Sequence, residues 1–435
     1  MLDDSVFQRR ISSIQKKLGK GETLILFAAN YKQRNRDVDY KFRQNSDFYY
    51  LTGTNEADAI LLLQRNDSAI FVLPKNREEE IWTGYRIGPK LAKKKLALRA
   101  AYSLEEWDMQ KEHYLTGQQT LYYFFGEDIQ RDTKILTTCK DLSRQVRNGK
   151  TAPLRLEIPH FLHELRLRKS SVEIEELRES AKITALGHMA LLQETKPGMY
   201  EYELEAILDR EYLKAGAWGG GYGHIVAAGS NATVLHYTEN QKKIRKGELL
   251  LVDSGAEKDY YTADVTRVFP SAEKFTNAQK DIYQIVLQAQ KQAIKTVRVG
   301  NTFQSVHDAA VSVIVDGLRD LKLLKGSREK NIAKQEYRRY YMHKTGHWLG
   351  MDVHDVGLYY KDGKSRKLEQ GMLTTVEPGL YFAADDKKVA KELRGIGIRI
   401  EDDILVGKKK PINLTVMIPK EVKEIEAIRE KALEK

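Results

Sequence analysis

Two aspartates stand in neighbouring strand-like segments of the chain. Asp253 follows one apolar run, and Asp264 lies within the next. If Lys258 and Asp259 form the turn of a hairpin, the two aspartates face each other, with Cβ atoms about 4.5–5.5 Å apart. Carboxylates at that distance repel by about 3 kcal/mol at an effective dielectric constant of 20. A bound cation would remove the conflict, and so would a shared proton, a different register or solvated positions for both acids.

Three histidines fall close together further along the chain. His343, His347 and His354 lie within twelve residues of one another, among glycines and apolar residues. One such histidine alone is more typical of a buried structural residue, but three together indicate a site. Gly346 and Gly350 favour a loop or strand over a helix here.

Two glutamates complete the set of candidate ligands. Glu377 and Glu401 both lie in apolar, strand-like contexts, and Arg399 shares a strand face with Glu401. A buried ion pair between Arg399 and Glu401 is the alternative interpretation of that segment. Two Asp, two Glu and one His form an oxygen-rich donor set, which suits divalent Mn²⁺, Co²⁺ or Fe²⁺ better than a structural zinc. Two such ions about 3.5–4 Å apart perform hydrolytic chemistry.

The N-terminal part of the chain reads as mixed α/β structure. Periodicity predicts helices over 5–18 and 104–114, and strands over 23–28, 47–51, 59–63, 69–73 and 121–125. The character changes near residue 168, where Ser170 or Ser171 is a candidate helix cap ahead of several glutamates. We therefore expect an N-terminal domain over residues 1–168 and a second domain over residues 169–435.

The second part contains a faint internal repeat. One unit comprises helical stretches over 172–194 and 203–215, and the other comprises stretches over 278–297 and 303–318. Strand-like segments follow each pair. A duplicated helix–helix–strand unit predicts two related halves that face each other across a cleft.

Composition excludes several classes of protein. The 435 residues are 41% apolar and 31% charged, which is typical of a globular chain. The net charge of +11 is scattered and comes without a recognisable nucleic-acid motif, so we expect no nucleic-acid partner. No apolar run is long enough to span a membrane. Cys139 is the only cysteine and the start of the chain lacks an apolar signal region, so we expect a reducing, cytoplasmic location.

Motifs around the candidate ligands carry a specific resemblance. They are VLHYTEN (234–240), LLVDSGAE (250–257), YTADVTRVFP (261–270), HWLGMDVHDVG (347–357), TVEPGLYF (375–382) and RGIGIRIEDD (394–403). Here the chain resembles the pita-bread metallopeptidases, specifically the Xaa-Pro aminopeptidase (aminopeptidase P) family. The run 39–53 resembles the creatinase/prolidase-type N-terminal domain. The fold this implies is α/β (α+β), with that N-terminal domain followed by a pita-bread catalytic domain.

The resemblance also implies a metal site and a mechanism. The implied ligands of two divalent ions, Mn²⁺ or else Co²⁺ or Fe²⁺, are Asp253, Asp264, His347, Glu377 and Glu401. A hydroxide that bridges the two ions would attack the peptide carbonyl, and Glu377 would also take its proton.

The other implied site residues surround these ligands. His354 would hold the scissile carbonyl or its oxyanion, and His236 and His343 would line the proline side of the bond. Arg399 would orient the ligands, and Tyr222 would lie near the substrate.

An N-terminal element is implied to act between subunits. Trp82 and Arg86 match an element that can approach the active site of a neighbouring subunit, which implies a substrate contact by Trp82 and a homodimer or homotetramer.

The implied function is removal of the N-terminal residue from peptides with proline in second position. A prolidase that cleaves Xaa-Pro dipeptides is the nearest alternative. Methionine aminopeptidases share the five ligands but usually lack a long N-terminal domain, and creatinase lacks the ligands. A non-catalytic binding module on this fold is the alternative from another class, but such relatives typically lose the ligand set.

Overall fold

The computed structural model describes residues 2–434. The chain divides into two compact units, Met1–His163 and Glu164–Lys435, so the boundary expected at residue 168 falls inside the second unit. Within the described residues, no helix combines the length and the apolar character needed to cross a membrane.

The first unit is built on a mixed sheet. Its helices within the described residues are α1 (Asp4–Lys17), α2 (Ser46–Thr52), α3 (Arg77–Thr83), α4 (Gly88–Leu96), α5 (Trp107–Leu115) and α6 (Ile129–Arg144). Its strands there are β1 (Glu22–Phe27), β2 (Gln33–Asn35), β3 (Val38–Asp39), β4 (Ile60–Gln64), β5 (Ser68–Val72), β6 (Ala100–Ser103), β7 (Thr120–Tyr122) and β8 (Arg155–Glu157). The sheet order is β6-β5-β4-β1-β7-β8, with antiparallel pairs at its centre and parallel pairs at both edges. Helix α7 (His160–Leu167) contains the point of division.

One predicted strand of this unit is wrong. Residues 47–51 lie in helix α2, whose N-terminus is capped by the side chain of Asn45, which accepts a hydrogen bond from the amide of Phe48. Gly53 ends the helix with φ +54°. Every residue of α2 is buried, so the helix shows no alternation of apolar and polar faces from which its period could be recognised.

The second unit contains four long helices and several short sheets. The remaining helices, as far as residue 434, are α8 (Ser171–Glu194), α9 (Glu201–Lys214), α10 (Asn277–Thr296), α11 (Phe303–Asp320), α12 (Arg328–Ala333) and α13 (Val422–Leu433). The remaining strands over the same range are β9 (Gly219–Gly220), β10 (Ile225–Ala228), β11 (Leu249–Asp253), β12 (Ala256–Lys258), β13 (Tyr261–Thr262), β14 (Thr266–Pro270), β15 (Tyr360–Lys361), β16 (Lys364–Ser365), β17 (Leu373–Val376), β18 (Gly379–Tyr381), β19 (Gly397–Arg399), β20 (Asp402–Leu405) and β21 (Ile412–Asn413).

The unit is organised as two similar halves. Helix α8 packs on α9 and is followed by strands β9–β14, whereas α10 packs on α11 and is followed by β15–β21. Both halves contribute to one continuous apolar core. This order matches the helix–helix–strand repeat predicted from the sequence.

A broken hairpin in the first half carries the two aspartates. Strand β11 pairs with β14 and β12 pairs with β13, and the ladder is interrupted between these pairs. The central turn residues are Asp259 and Tyr260, both with positive φ, as in a type I′ turn. The turn predicted at Lys258 and Asp259 was one residue too early. With the observed turn, Asp253 pairs with Thr266 and not with Asp264. Asp264 lies in the interruption between β13 and β14.

The second half repeats this design. Strand β17 pairs with β20 and β18 pairs with β19, and the ladder is again interrupted between the pairs. Glu377 and Glu401 occupy the two interruptions. An interrupted ladder lets the backbone turn a side chain out of the strand alternation. The interruptions therefore set the side-chain directions of Asp264, Glu377 and Glu401. Asp253 is the last residue of β11 and lies next to the remaining interruption.

Candidate metal centre and catalytic pocket

One cavity of about 450 Å³ opens between the two halves of the second unit. Every site residue that the sequence placed in this unit lines it: Tyr222, His236, Asp253, Asp264, His343, His347, His354, Glu377, Arg399 and Glu401. The structure thus brings together residues that are up to 179 positions apart, from 222 to 401.

The two aspartates converge although the hairpin register differs from the prediction. The hydroxyl of Tyr222 lies 2.6 Å from Oδ1 of Asp253 and 2.6 Å from Oδ1 of Asp264. Burial and the neighbouring Asp253 raise the pKa of Asp264 above its ordinary value. Burial also opposes ionisation of Asp253, but the guanidinium of Arg399, 2.5 Å away, outweighs it and holds the pKa of Asp253 low.

One ring nitrogen of His347 points towards the acids. Its Nδ1 lies 3.0 Å from the carbonyl oxygen of Trp348, which can only accept, so Nδ1 carries a hydrogen, and in the neutral ring the lone pair is on Nε2. Nε2 lies 3.3 Å from Oδ2 of Asp264 and 3.6 Å from Oε1 of Glu377. A lone pair among carboxylates is repulsive unless a cation or a proton lies between them. Burial lowers the pKa of His347, but the two acids outweigh it and raise that pKa to about 9.

The two glutamates also lie close to other acids in a setting that opposes their negative charge. Burial and the neighbouring acids raise the pKa of Glu401 well above its ordinary value. Burial raises the pKa of Glu377 to about 7, against the opposing charges of His347 and Arg399. Ligand atoms of Asp264, His347 and Glu401 all lie within 4.8 Å of one another.

This donor set fits divalent metal ions. Four carboxylates and one imidazole nitrogen converge where the electrostatic conflict calls for positive charge, and oxygen-rich sites with a single nitrogen suit hard or borderline divalent ions. Asp264, His347 and Glu401 form the compact part of the cluster. Asp253 adjoins it through Tyr222, and Glu377 adjoins it through His347.

Arg399 pairs with an acid from the other half of the unit. Its Nη2 donates to Asp253, its Nε donates to Oγ1 of Thr266 at 2.9 Å, and its Nη1 donates to the hydroxyl of Tyr381 at 3.1 Å. Glu401 instead accepts from Oγ1 of Thr266 at 2.7 Å. The ion pair between Arg399 and Glu401, the alternative interpretation of this strand, is therefore replaced by one with Asp253.

The other pocket histidines are held differently from one another. His343 contacts the carbonyl oxygen of Lys344 at 2.7 Å and the hydroxyl of Tyr381 at 2.8 Å. Burial and, secondarily, Arg399 lower the pKa of His343 to about 3, so it is neutral near pH 7. The ring of His354 lies 4.3 Å from that of His347, centroid to centroid.

The histidine segment is a loop, as its glycines predicted. A Cβ on Gly346 would lie 2.1 Å from the carbonyl oxygen of Thr375, so only glycine permits this approach to β17.

Three polar residues of the site were missed as candidates. Tyr381 and Thr266 contact Arg399, and Asp403 accepts a hydrogen bond from the amide of Asp264 at 3.2 Å. All three lie inside the quoted motifs, close to predicted ligands. That proximity was the available signal, but which of them face the pocket depends on the broken ladders.

Trp82 belongs to the first unit. It lies on helix α3 with 88% of its surface exposed, beside the exposed Ile81 and Tyr85. Its role as a substrate contact stays a prediction.

Comparison with known proteins supplies the family. The model of metallopeptidase family M24 matches residues 175–408, and that of the aminopeptidase P N-terminal domain matches residues 7–123. Xaa-Pro aminopeptidase of Escherichia coli is 40% identical over 428 residues, which cover 97% of each chain.

Solved structures agree with this assignment. Pseudomonas aeruginosa aminopeptidase PepP superposes with a TM-score of 0.97 at 39% identity, over 100% of this chain and 99% of that one. A variant of Escherichia coli aminopeptidase P in complex with substrate gives a TM-score of 0.96 at 39% identity over the whole of both chains. The expected fold class, an aminopeptidase P-type N-terminal domain followed by a pita-bread domain, is confirmed. With both family models and a full-length relative in agreement, the chain belongs to metallopeptidase family M24, among its Xaa-Pro aminopeptidases.

Proposed function

We propose that this protein is a metal-dependent aminopeptidase that releases the N-terminal residue from peptides with proline in second position. One observation carries the proposal: three buried carboxylates, the half-buried Glu377 and Nε2 of His347 converge in a pocket that three further imidazoles line. Membership of the Xaa-Pro aminopeptidases supports the substrate class.

The metal ligands in this proposal are Asp253, Asp264, His347, Glu377 and Glu401, holding two divalent ions. Mn²⁺ is the first choice because the donor set is oxygen-rich, and Co²⁺ and Fe²⁺ also fit it. When bound, such ions supply Lewis acidity and lower the pKa of water towards neutrality.

The protein's own groups then orient the substrate and move one proton. Glu377 lies beside Nε2 of His347 and takes the proton of the attacking water. His354 donates to the carbonyl oxygen of the scissile bond and stabilises the negative charge that develops there. Arg399 fixes Asp253, and Tyr222 bridges Asp253 and Asp264, so both aspartates keep their orientation.

Selectivity for proline follows from what the pocket wall offers. An Xaa-Pro bond has no N–H, so a site that grips that hydrogen gains nothing from it. His236 and His343 line the wall, and neutral His343 is already satisfied by Lys344 and Tyr381. These ring faces accommodate the pyrrolidine ring of proline.

We further propose that residues 1–168 serve assembly and substrate access. The exposed residues Ile81, Trp82 and Tyr85 form an apolar surface around helix α3 that suits an interface within a homodimer or homotetramer. Light scattering of the wild type and of Trp82→Ala tests this directly. A cytoplasmic location is supported by the single cysteine, Cys139.

The decisive experiment is a paired hydrolysis assay. The protein is stripped with chelator and reloaded with Mn²⁺, and release of the first residue is followed from an Xaa-Pro-Xaa tripeptide and from an Xaa-Pro dipeptide. Preference for the tripeptide is expected. Preference for the dipeptide would make the protein a prolidase, and no metal-dependent release from either would leave a non-catalytic binding module.

A further inference from the structure

The segment that carries His236 is a surface loop with both ends close together, residues 229–241, which we call the His236 loop. Leu235, His236 and Thr238 of this loop line the catalytic pocket. The loop follows strand β10 and lies outside the regular sheets, so its conformation must come from other contacts.

The imidazole of His236 has no polar support of its own. Within residues 2–434, its ring nitrogens make no hydrogen bond, and its side chain is exposed. The contrast is with His343, whose two ring nitrogens are held by Lys344 and Tyr381. The position of the His236 ring therefore depends on the loop backbone.

One buried carboxylate holds that backbone. Glu201, the first residue of helix α9, is 0% exposed and receives four hydrogen bonds from the loop and its two ends. Its Oε1 accepts from the amide of Ala228 at 2.7 Å and from Nδ2 of Asn231 at 3.0 Å. Its Oε2 accepts from the hydroxyl of Tyr237 at 2.8 Å and from the amide of Lys242 at 2.8 Å.

These four donors tie three parts of the loop to one point. Ala228 and Lys242 flank the loop on its two sides, and Nζ of Lys242 also donates to the carbonyl of Ala228 at 2.7 Å, which holds the two sides together. Tyr237 is the residue next to His236, so its hydroxyl fixes the backbone on one side of the imidazole.

The chemistry of the clamp requires a carboxylate. All four partners donate, and a carboxylate only accepts, with two oxygens that each serve two donors here. The N-terminus of a helix also favours a negative charge at this place. A glutamine would turn an NH₂ group towards two of the donors and would lose those bonds while keeping the shape of the side chain.

We infer that Glu201 is a positioning residue for His236: it closes the His236 loop and thereby sets the place of the imidazole in the catalytic pocket. The effect of this positioning role on peptide hydrolysis rests on the proposed function. Nothing in this role requires Glu201 to touch substrate or metal, since it acts through the loop alone.

The first test measures the loop itself and is independent of catalysis. Hydrogen–deuterium exchange of the full-length protein is compared between the wild type and Glu201→Gln. Faster exchange is expected in peptides that cover residues 229–241, without a matching change in helices α10 and α11. Unchanged exchange in the loop would overturn the inference.

The second test is a double-mutant cycle on the metal-loaded enzyme, with an Xaa-Pro-Xaa tripeptide as substrate. Glu201→Gln should lower kcat/KM by between about tenfold and about a hundredfold, the cost of a misplaced pocket group. Combined with His236→Ala, it should lower kcat/KM little further, because the group it positions is already gone. If the two losses multiply, Glu201 acts by another route and the inference is wrong.

Glu173→Gln is the matched control. Glu173 is also a buried carboxylate in the first turn of a helix, where it bonds to Ser170. Any loss of kcat/KM caused by Glu173→Gln should multiply with the loss caused by His236→Ala. Hydrogen–deuterium exchange in the His236 loop should stay unchanged.

A gentler variant guards against a failure of Glu201→Gln to fold. Tyr237→Phe removes one donor and leaves the carboxylate in place. We expect a smaller loss of kcat/KM than for Glu201→Gln, and we expect this loss to be absent in the His236→Ala background. If the wild type hydrolyses no Xaa-Pro peptide, the proposed function fails, whereas the exchange experiment still decides the role of Glu201.

Discussion

Asp355 lies between two buried cations, and its charge can be removed with almost no change of shape. Its Oδ1 accepts from Nη2 of Arg166 at 2.6 Å, and its Oδ2 accepts from Nζ of Lys169 at 2.8 Å. The side chains of all three are at most 2% exposed. Asp355 also follows His354 directly and its Oδ2 packs against Gly350, so it anchors the histidine loop. The perturbation is Asp355→Asn.

The expected cost follows from the cations that remain. Removal of one partner from a buried ion pair costs about 3–5 kcal/mol, chiefly because a buried charge is left uncompensated. Here Lys169 loses its carboxylate partner, whereas Arg166 keeps Asp352 at 2.7 Å, so a loss at the lower end of that range, about 3 kcal/mol in the free energy of unfolding, is expected. Because water is excluded from all three groups, salt should change this loss little.

The pH dependence has a definite sign. Burial opposes ionisation of Asp355, but Lys169 and Arg166 outweigh it and hold its pKa below the ordinary value. A lowered folded-state pKa contributes stability above the unfolded-state pKa, which is about 3.9 for aspartate. The difference between wild type and Asp355→Asn should therefore stay constant from pH 7 to pH 5 and narrow below about pH 4.

Urea unfolding at several pH values measures this difference. The control is Asp386→Asn, which removes an aspartate that pairs with Arg339 at the surface and should change stability far less. A loss below about 1 kcal/mol for Asp355→Asn, or a difference that already narrows between pH 7 and pH 5, would refute the reasoning.

Four further outcomes are expected. Asp264→Ala should abolish metal-dependent hydrolysis while circular dichroism stays unchanged; hydrolysis retained by this variant would contradict the two-metal site. Chelation should lower both activity and melting temperature, and added Mn²⁺ should restore both, since ligands that bind only the folded state stabilise it; an unshifted melting curve would argue against a metal among the buried acids. Gly255→Ala places a Cβ 1.8 Å from a backbone carbonyl of the opposing segment, so a loss of about 2–3 kcal/mol or more is expected in urea unfolding, and wild-type stability would mean that the hairpin yields there. Tyr381→Phe removes the hydroxyl that contacts His343 and Arg399, which should lower kcat/KM by about tenfold, and an unchanged value would make that hydroxyl dispensable.

Local signals in the sequence were sufficient for the long elements. Ser170 bonds to Glu173 and starts helix α8 where the cap was predicted. The acids, the histidines and Arg399 were recognisable because charged residues in apolar strand contexts are costly without a purpose. These signals depend only on near neighbours in the chain.

The misjudged features depend on distant parts of the chain. The hairpin register turns on Tyr260 adopting φ +72°, an uncommon conformation for an aromatic residue that its own sequence does not announce. Arg399 has Glu401 two residues away but pairs with Asp253, which is 146 positions distant. Only the packing of the two halves decides between such partners.

The division of the candidate ligands between two halves has a consequence for biosynthesis. Asp253 and Asp264 come from the first half, whereas His347, Glu377 and Glu401 come from the second. A ribosome has therefore translated as far as residue 401 before the full set exists. Metal uptake into the complete site can only follow translation of residue 401, and a premature stop before that residue yields a product that cannot assemble the five-ligand centre.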